Sequence, residues 1–164
     1  MTRPQSIERS VEIEAPVGDV FAFHLDTRNA GLISPRGTRI LAVEGRFPVM
    51  PGSIVTMRMR QFPSPVAMAW RVRIEAVVPP SRIVDVAERS PFAAWRHEHL
   101  FQSLGPGRTL MTDRVTYRLH GGPLGRLVDR LVVRRQLTRT FAERQRRTRE
   151  LLDERARAGT RAGA

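Results

Sequence analysis

Between Thr38 and Leu119 the chain carries six strand-like runs in succession: Thr38 to Glu44, Ser53 to Arg60, Met68 to Val78, Arg82 to Glu88, Trp95 to Leu104 and Arg108 to Leu119. Turn-rich separators part them: Pro51-Gly52, Pro63-Ser64-Pro65, Pro79-Pro80-Ser81, Ser90-Pro91 and Gly105-Pro106-Gly107. Short connections between successive strands predict an antiparallel meander, with the Gly105-Pro106-Gly107 break as its clearest hairpin. Past Gly121-Gly122-Pro123 the apolar period changes to 3.6. Leu124, Leu127, Val128, Leu131, Val132, Leu137 and Phe141 then form one stripe, which predicts a long helix from Leu124 to about Arg155.

Ahead of the meander, Ile7, Arg9, Val11, Ile13 and Ala15 alternate with Glu8, Ser10, Glu12 and Glu14, as in a half-buried first strand. Pro16 suits the opening of a helix, and Val17, Val20, Phe21 and His24 recur at helical spacing as far as Asp26. A further turn or two of helix is expected from Thr27 to Leu32, before Ser34-Pro35-Arg36-Gly37. The expected architecture is therefore α+β: a curved seven-stranded antiparallel sheet wrapped around a long C-terminal helix, with two short helices after the first strand. One helix fills the concavity of such a sheet poorly, so a cavity between sheet and helix is expected. The 164 residues suit a single domain, 1–155, with 156–164 as a frayed tail.

Composition removes several chemistries. No cysteine is present, which excludes disulfides, thiolate nucleophiles and Cys-ligated metal centres. All 28 cations are arginine, so no P-loop lysine exists, and no serine sits in a G-x-S-x-G elbow. Neither an apolar leader core nor a membrane-length apolar run appears, and a cytoplasmic location is the expectation.

Three stretches carry a family resemblance: VFAFHLDTRNAGLISP from Val20 to Pro35, SPFAAWRHEHLF from Ser90 to Phe101, and TDRVTYRLHGGPLGRLVDRLVVRRQL from Thr112 to Leu137. With the order of elements from Ile7 to about Leu152, they resemble the START and Bet v 1-like, or SRPBCC, superfamily with its helix-grip fold. The nearest likeness is to the bacterial ligand-binding branch that includes polyketide cyclases, dehydrases and lipid-binding proteins. The resemblance implies an apolar pocket for a small hydrophobic, lipid-like or polyketide-like ligand, without implying one reaction.

Alternation along the strands assigns the pocket. Trp95, His97, His99 and Phe101 share one face of their strand, and Met111, Asp113, Val115 and Tyr117 one face of the next. Pairing across the Gly105-Pro106-Gly107 turn brings Asp113 near His97 or His99. Val55, Met57 and Met59 supply a further apolar face, as do Trp70, Val72 and Ile74. Leu127, Leu131 and Phe141 on the long helix form a lid.

An inward polar group without a partner costs about 1–3 kcal/mol, so His97, His99, Asp113 and Tyr117 must bond to one another, to water or to a ligand. Three readings compete: a structural network bracing the sheet, orientation of an apolar ligand, or chemistry. The chemistry would be His97, His99 and Asp113 as a metal site, or as the acid and base of a cyclase or dehydratase. The spacing alone carries no metal assignment, and neither a metal nor another cofactor is expected. His24 and His120 are expected in solvated or capping roles.

From Leu124 onward twelve arginines face five acids, a net +7 of the whole chain's +12. Arg126, Arg130, Arg134, Arg135, Arg139, Arg144, Arg146, Arg147 and Arg149 lie on the helix face away from the stripe and are expected to be solvated. No aromatic residues interleave them, and no nucleic-acid partner is expected. Weak contact with an anionic membrane surface is the remaining use of such a face. Oligomeric state is not encoded in any of these patterns.

Overall fold

The computed structural model describes residues 4–61, 64–121, 125 and 127–162, with side chains to 159. Pro63, Gly122, Pro123, Leu124 and Arg126, expected in turns or at the start of the long helix, lie outside the described residues. The elements run β1 (Gln5–Ile13), α1 (Val17–Leu25), a 3-10 turn (Thr27–Asn29), α2 (Ala30–Ile33), β2 (Thr38–Glu44), β3 (Ile54–Gln61), β4 (Ala67–Val78), β5 (Arg82–Arg89), β6 (Ala94–Gly105), β7 (Arg108–Arg118), a π-helical turn (Asp129–Val133) and α3 (Arg134–Ala162).

All strands pair antiparallel in one sheet of order β1-β7-β6-β5-β4-β3-β2. The meander thus runs from β2 to β7, and β1 closes it by pairing with β7. The period-two pattern sets the faces. Trp95, His97, His99 and Phe101 are buried on β6, and Met111, Asp113, Val115 and Tyr117 on β7. The opposite face carries ion pairs between strands, such as Arg114–Glu8 between neighbours β7 and β1 and Arg96–Glu75 across β5.

Pro16 precedes α1 with φ −58°, and its carbonyl accepts the first helical N–H bonds, from Asp19 and Val20. The 3-10 turn is capped by Asp26, whose carboxylate accepts the Arg28 N–H. One core cluster joins Ile13, Val20, Phe21, Phe23, Ile33, Ile83, Phe101, Met111 and Leu152 at one end of the sheet. A second joins Ile7, Trp95, Val115, Tyr117 and Phe141. A third, of Val49, Val55, Val72 and Ile74, sits under β3 and β4.

The long helix departs from expectation at both ends. It continues to Ala162, beyond the end expected near Arg155. Its packed side is Phe141, Gln145, Thr148 and Leu152, a 3.6-residue period that includes two polar residues. At its start, Asp129 is held inward by the Tyr117 hydroxyl, which donates to its Oδ1 at 2.6 Å. At roughly 100° per residue this phase turns Leu127 and Leu131 about 160° away from the sheet. Both are exposed, at 53% and 62%, as are Val128 and Val132, so the expected lid over the pocket is not formed by Leu127 and Leu131. Among the described residues no helix is long and apolar enough to cross a membrane.

Candidate functional site

The sheet curls around a cavity of about 430 Å³, closed by α1, α2 and the C-terminal helix. Met57, Met59, Met68, Trp70, Val72 and Ile74 from β3 and β4 line it, with Trp95 from β6 and Val133, Leu137 and Phe141 from the helix. Trp70, Phe92 and Trp95 form a ring cluster, with centroids 4.8 Å apart for Phe92–Trp95 and 5.1 Å for Trp70–Trp95. The Trp70 indole N–H is buried and finds no hydrogen-bond partner among the described residues. Flexible thioethers and flat rings make an adaptable apolar wall.

The other end of the cavity is polar, and strand register builds it. Asp113 stands opposite His99 across β6–β7, and Asp85 opposite His97 across β5–β6. His97 Nε2 donates to Asp113 Oδ1 at 2.9 Å. His99 Nδ1 lies 3.0 Å from the same oxygen, out of line for a directed hydrogen bond. Gln145 on α3 completes the group, its Nε2 donating to Asp113 Oδ2 at 2.7 Å and to the Arg9 carbonyl at 2.8 Å. The other ring nitrogens point elsewhere: His97 Nδ1 is 3.6 Å and His99 Nε2 3.8 Å from Asp85 Oδ2. The imidazole centroids are 4.0 Å apart.

Burial decides the protonation states. It pushes the Asp113 carboxyl upward, but the hydrogen bond from His97 and the close approach of the His99 ring hold it well below the usual carboxylate range. Burial lowers both His97 and His99, for His99 with help from the neighbouring His97, and the pull of Asp113 only partly offsets this. Both rings are therefore neutral near pH 7. Asp113 accepts, so the proton of His97 sits on Nε2 and its Nδ1 keeps a lone pair. Asp85 is pushed up to about 6, chiefly by burial.

His24 belongs to this end as well. Its ring lies 5.3 Å from His99, Nδ1 donates to the Val20 carbonyl at 2.7 Å, and burial followed by His99 brings it down to about 3. The solvated or capping role expected from sequence is thus corrected: at helical spacing from Val20, the residue faces the sheet. Arg144 also lines the cavity, its guanidinium 5.3 Å from the Phe141 ring centroid, and so does not belong to the solvated arginine face.

The remaining expectations divide. Met57, Met59, Trp70, Val72, Ile74, Trp95, His97, His99 and Phe141 line the cavity. Val55, Phe101 and Val115 are packed into the core clusters instead. Asp113 stands behind the two histidines rather than on the cavity wall. Tyr117, 1% exposed, spends its hydroxyl on Asp129, and burial together with that bond raises its pKa. The sequence reading missed Asp85, although the turn at Pro79-Pro80-Ser81 puts it on the same face as Ile83. Gln145 carried no signal beyond standing four residues after Phe141, and Asp129, on the side opposite Leu127 and Leu131, carried none.

No protein-family model matches the chain, and no curated protein does. Solved structures share its shape. The aromatase/cyclase Zhui from Streptomyces sp. R1128 is 18% identical and gives a TM-score of 0.74 over 96% of this chain and 98% of its own. The di-domain aromatase/cyclase StfQ of the steffimycin biosynthetic pathway gives 0.74 at 16% identity over 93% of this chain, which spans only 52% of that protein. A point mutant of norcoclaurine synthase from Thalictrum flavum, in complex with a transition-state analogue, gives 0.70 at 12% identity, covering 95% of this chain and 98% of that one. At such identities the likeness is one of architecture, that of the helix-grip fold.

Proposed function

We propose that this helix-grip protein of the SRPBCC type binds a small, mostly apolar molecule between its sheet and its C-terminal helix, with the oxygen-bearing end of that molecule toward His24, Asp85, His99 and Arg144. The observation that carries this reading is the cavity itself. Its roughly 430 Å³ falls within the ~300–1,000 Å³ usual for ligand sites, and its wall is mostly apolar, with His24, Asp85, His97 and His99 grouped on it. Affinity comes from apolar burial at about 0.8 kcal/mol per CH₂, and the polar end fixes orientation. The neighbours named as polyketide aromatase/cyclases and norcoclaurine synthase, which share this architecture, support an aromatic or polyketide-like ligand. The expected range of site residues is accordingly narrowed to those that face the cavity.

The test uses 8-anilinonaphthalene-1-sulfonate as an apolar, anionic probe. Saturable fluorescence enhancement by the folded protein is expected, and Met57→Trp, which fills the cavity, abolishes it while circular dichroism is retained. Equal enhancement by the Met57→Trp variant overturns the reading.

A second reading, a cyclase- or dehydratase-type enzyme, is favoured by Asp85 and His99 facing each other at the cavity wall, where a carboxyl and an imidazole can exchange protons with a bound molecule. A ligand that co-purifies from the native host and is converted on incubation distinguishes it from simple carriage. A co-purifying ligand recovered unchanged by native mass spectrometry rejects it.

A further inference from the structure

The two histidines and Asp85 form an arrangement that hydrogen bonding alone leaves incomplete. His97 spends its Nε2–H on Asp113, and the Asp113 oxygen also faces His99 Nδ1. The opposite nitrogens, His97 Nδ1 and His99 Nε2, are directed at one carboxylate oxygen, Asp85 Oδ2, at 3.6 and 3.8 Å. Those separations are too long for hydrogen bonds. The lone pair of His97 Nδ1 is thereby set against the Asp85 carboxylate in a buried place, an arrangement that a cation held among the three residues relieves.

We propose that Asp85, His97 and His99 hold a divalent first-row transition-metal ion, with a coordination position left open to the cavity.

One donor atom from each residue lies within 4.8 Å of the others. At metal–ligand lengths of about 2.0–2.2 Å, two ligands of a tetrahedral ion stand roughly 3.4 Å apart, so the two Asp85 separations of 3.6 and 3.8 Å need contraction of only a few tenths of an ångström, while the two histidine nitrogens start within 4.8 Å of each other. Two imidazoles and one carboxylate are the donor set of zinc and non-haem iron sites that keep a position free for substrate. The surroundings match as well. A metal-bound histidine characteristically gives its other N–H to a carboxylate, which fixes the tautomer and aims the ring. Here Asp113 does so for His97 through Nε2 and lies 3.0 Å from Nδ1 of His99, while Gln145 fixes Asp113 in turn.

Asp113, the carboxylate that residue spacing favoured as a ligand, is excluded from that role because its oxygens are engaged behind the rings. The ion stands independently of the cavity ligand. The ligand reading is needed only for what fills the open position, a chelating oxygen such as a carboxylate, phenolate or enolate. Metal coordination and the acid–base reading exclude each other at these residues, since a donor atom bound to an ion carries no transferable proton.

The experiment titrates Co²⁺ and Zn²⁺ into tag-free, chelator-stripped protein, following the visible absorption of Co²⁺ and, for Zn²⁺, equilibrium dialysis. One ion per chain is expected, with the intense visible bands of four- or five-coordinate Co²⁺. Asp85→Asn removes the anionic donor without touching the Asp113 network, and should weaken binding at least as much as loss of a supporting partner does, about 10-fold or more. His99→Ala, with folding checked by circular dichroism, is an independent second variant and should do the same. Absence of stoichiometric binding, or affinity unchanged in the folded Asp85→Asn protein, overturns the site. Anilinonaphthalene sulfonate binding measured in parallel separates the two proposals: Met57→Trp should remove the probe and keep the ion, whereas wild-type protein that binds the probe and no ion overturns the ion site alone.

Discussion

Two buried aspartates tie the sheet to the C-terminal helix, and they differ in what they leave unspent. Asp129, on the π-helical turn, takes the Tyr117 hydroxyl at 2.6 Å among Ile7, Trp95, Val115 and Phe141. A phenol has one hydrogen to give, so that contact ends there. Asp113, on β7, engages His97, His99 and Gln145. An imidazole has two nitrogens, and anchoring one aims the other, so the second aspartate passes its order on to the cavity wall. The same device, a buried carboxylate under a helix, acts as a strut in one place and as the support of a site in the other.

The sharpest way to break this comparison is Asp113→Ala. It leaves a buried imidazole N–H and one of the two Gln145 amide hydrogens without acceptors and removes charge-assisted bonds, so a loss of about 3 kcal/mol or more in urea denaturation is expected, together with loss of ion binding. Retention of ion affinity in that variant would detach the site from its support. Tyr117→Phe should cost about 2 kcal/mol, because it orphans a buried carboxylate oxygen, yet leave both probe and ion binding intact. A change in either would make the strut part of the site.

Tyr117 is the chain's only tyrosine, so its titration is directly visible by ultraviolet absorbance. Burial and then the Asp129 bond raise its pKa, so the folded protein holds the phenol proton where the unfolded chain releases it. The associated stability is fully present below the ordinary tyrosine value of about 10 and is lost as pH rises beyond it. A phenolate midpoint at the ordinary value in the folded protein contradicts the strut. Arg144→Gln should weaken binding of the anionic probe several-fold and leave the denaturation midpoint unchanged. The smallest effect is expected from Arg146→Gln, whose guanidinium pairs with Glu150 at 2.6 Å on the solvated side; any loss of probe binding there would blur the division between cavity and surface arginines.

Much of the architecture was legible because it rests on period. Alternation along β6 and β7 placed Trp95, His97, His99, Asp113 and Tyr117 on the inner face, and the Gly105-Pro106-Gly107 turn set the register that puts Asp113 opposite His99. The helix was less legible. Its apolar stripe contains Leu127 and Leu131, which hydropathy alone turns inward, whereas the Tyr117–Asp129 bond fixes the opposite phase. Inward-facing polar residues such as Gln145 and His24 read in sequence as surface, since periodicity is recognised through apolar residues.

The sequence by itself determined the order of elements, the faces of the strands and the absence of cysteine and lysine chemistry, because these follow from local spacing and residue type. Only the tertiary structure decided which of two aspartates backs the histidines and which one faces them. The distinction depends on the pairing of β5 with β6, a non-local contact whose register no short segment encodes.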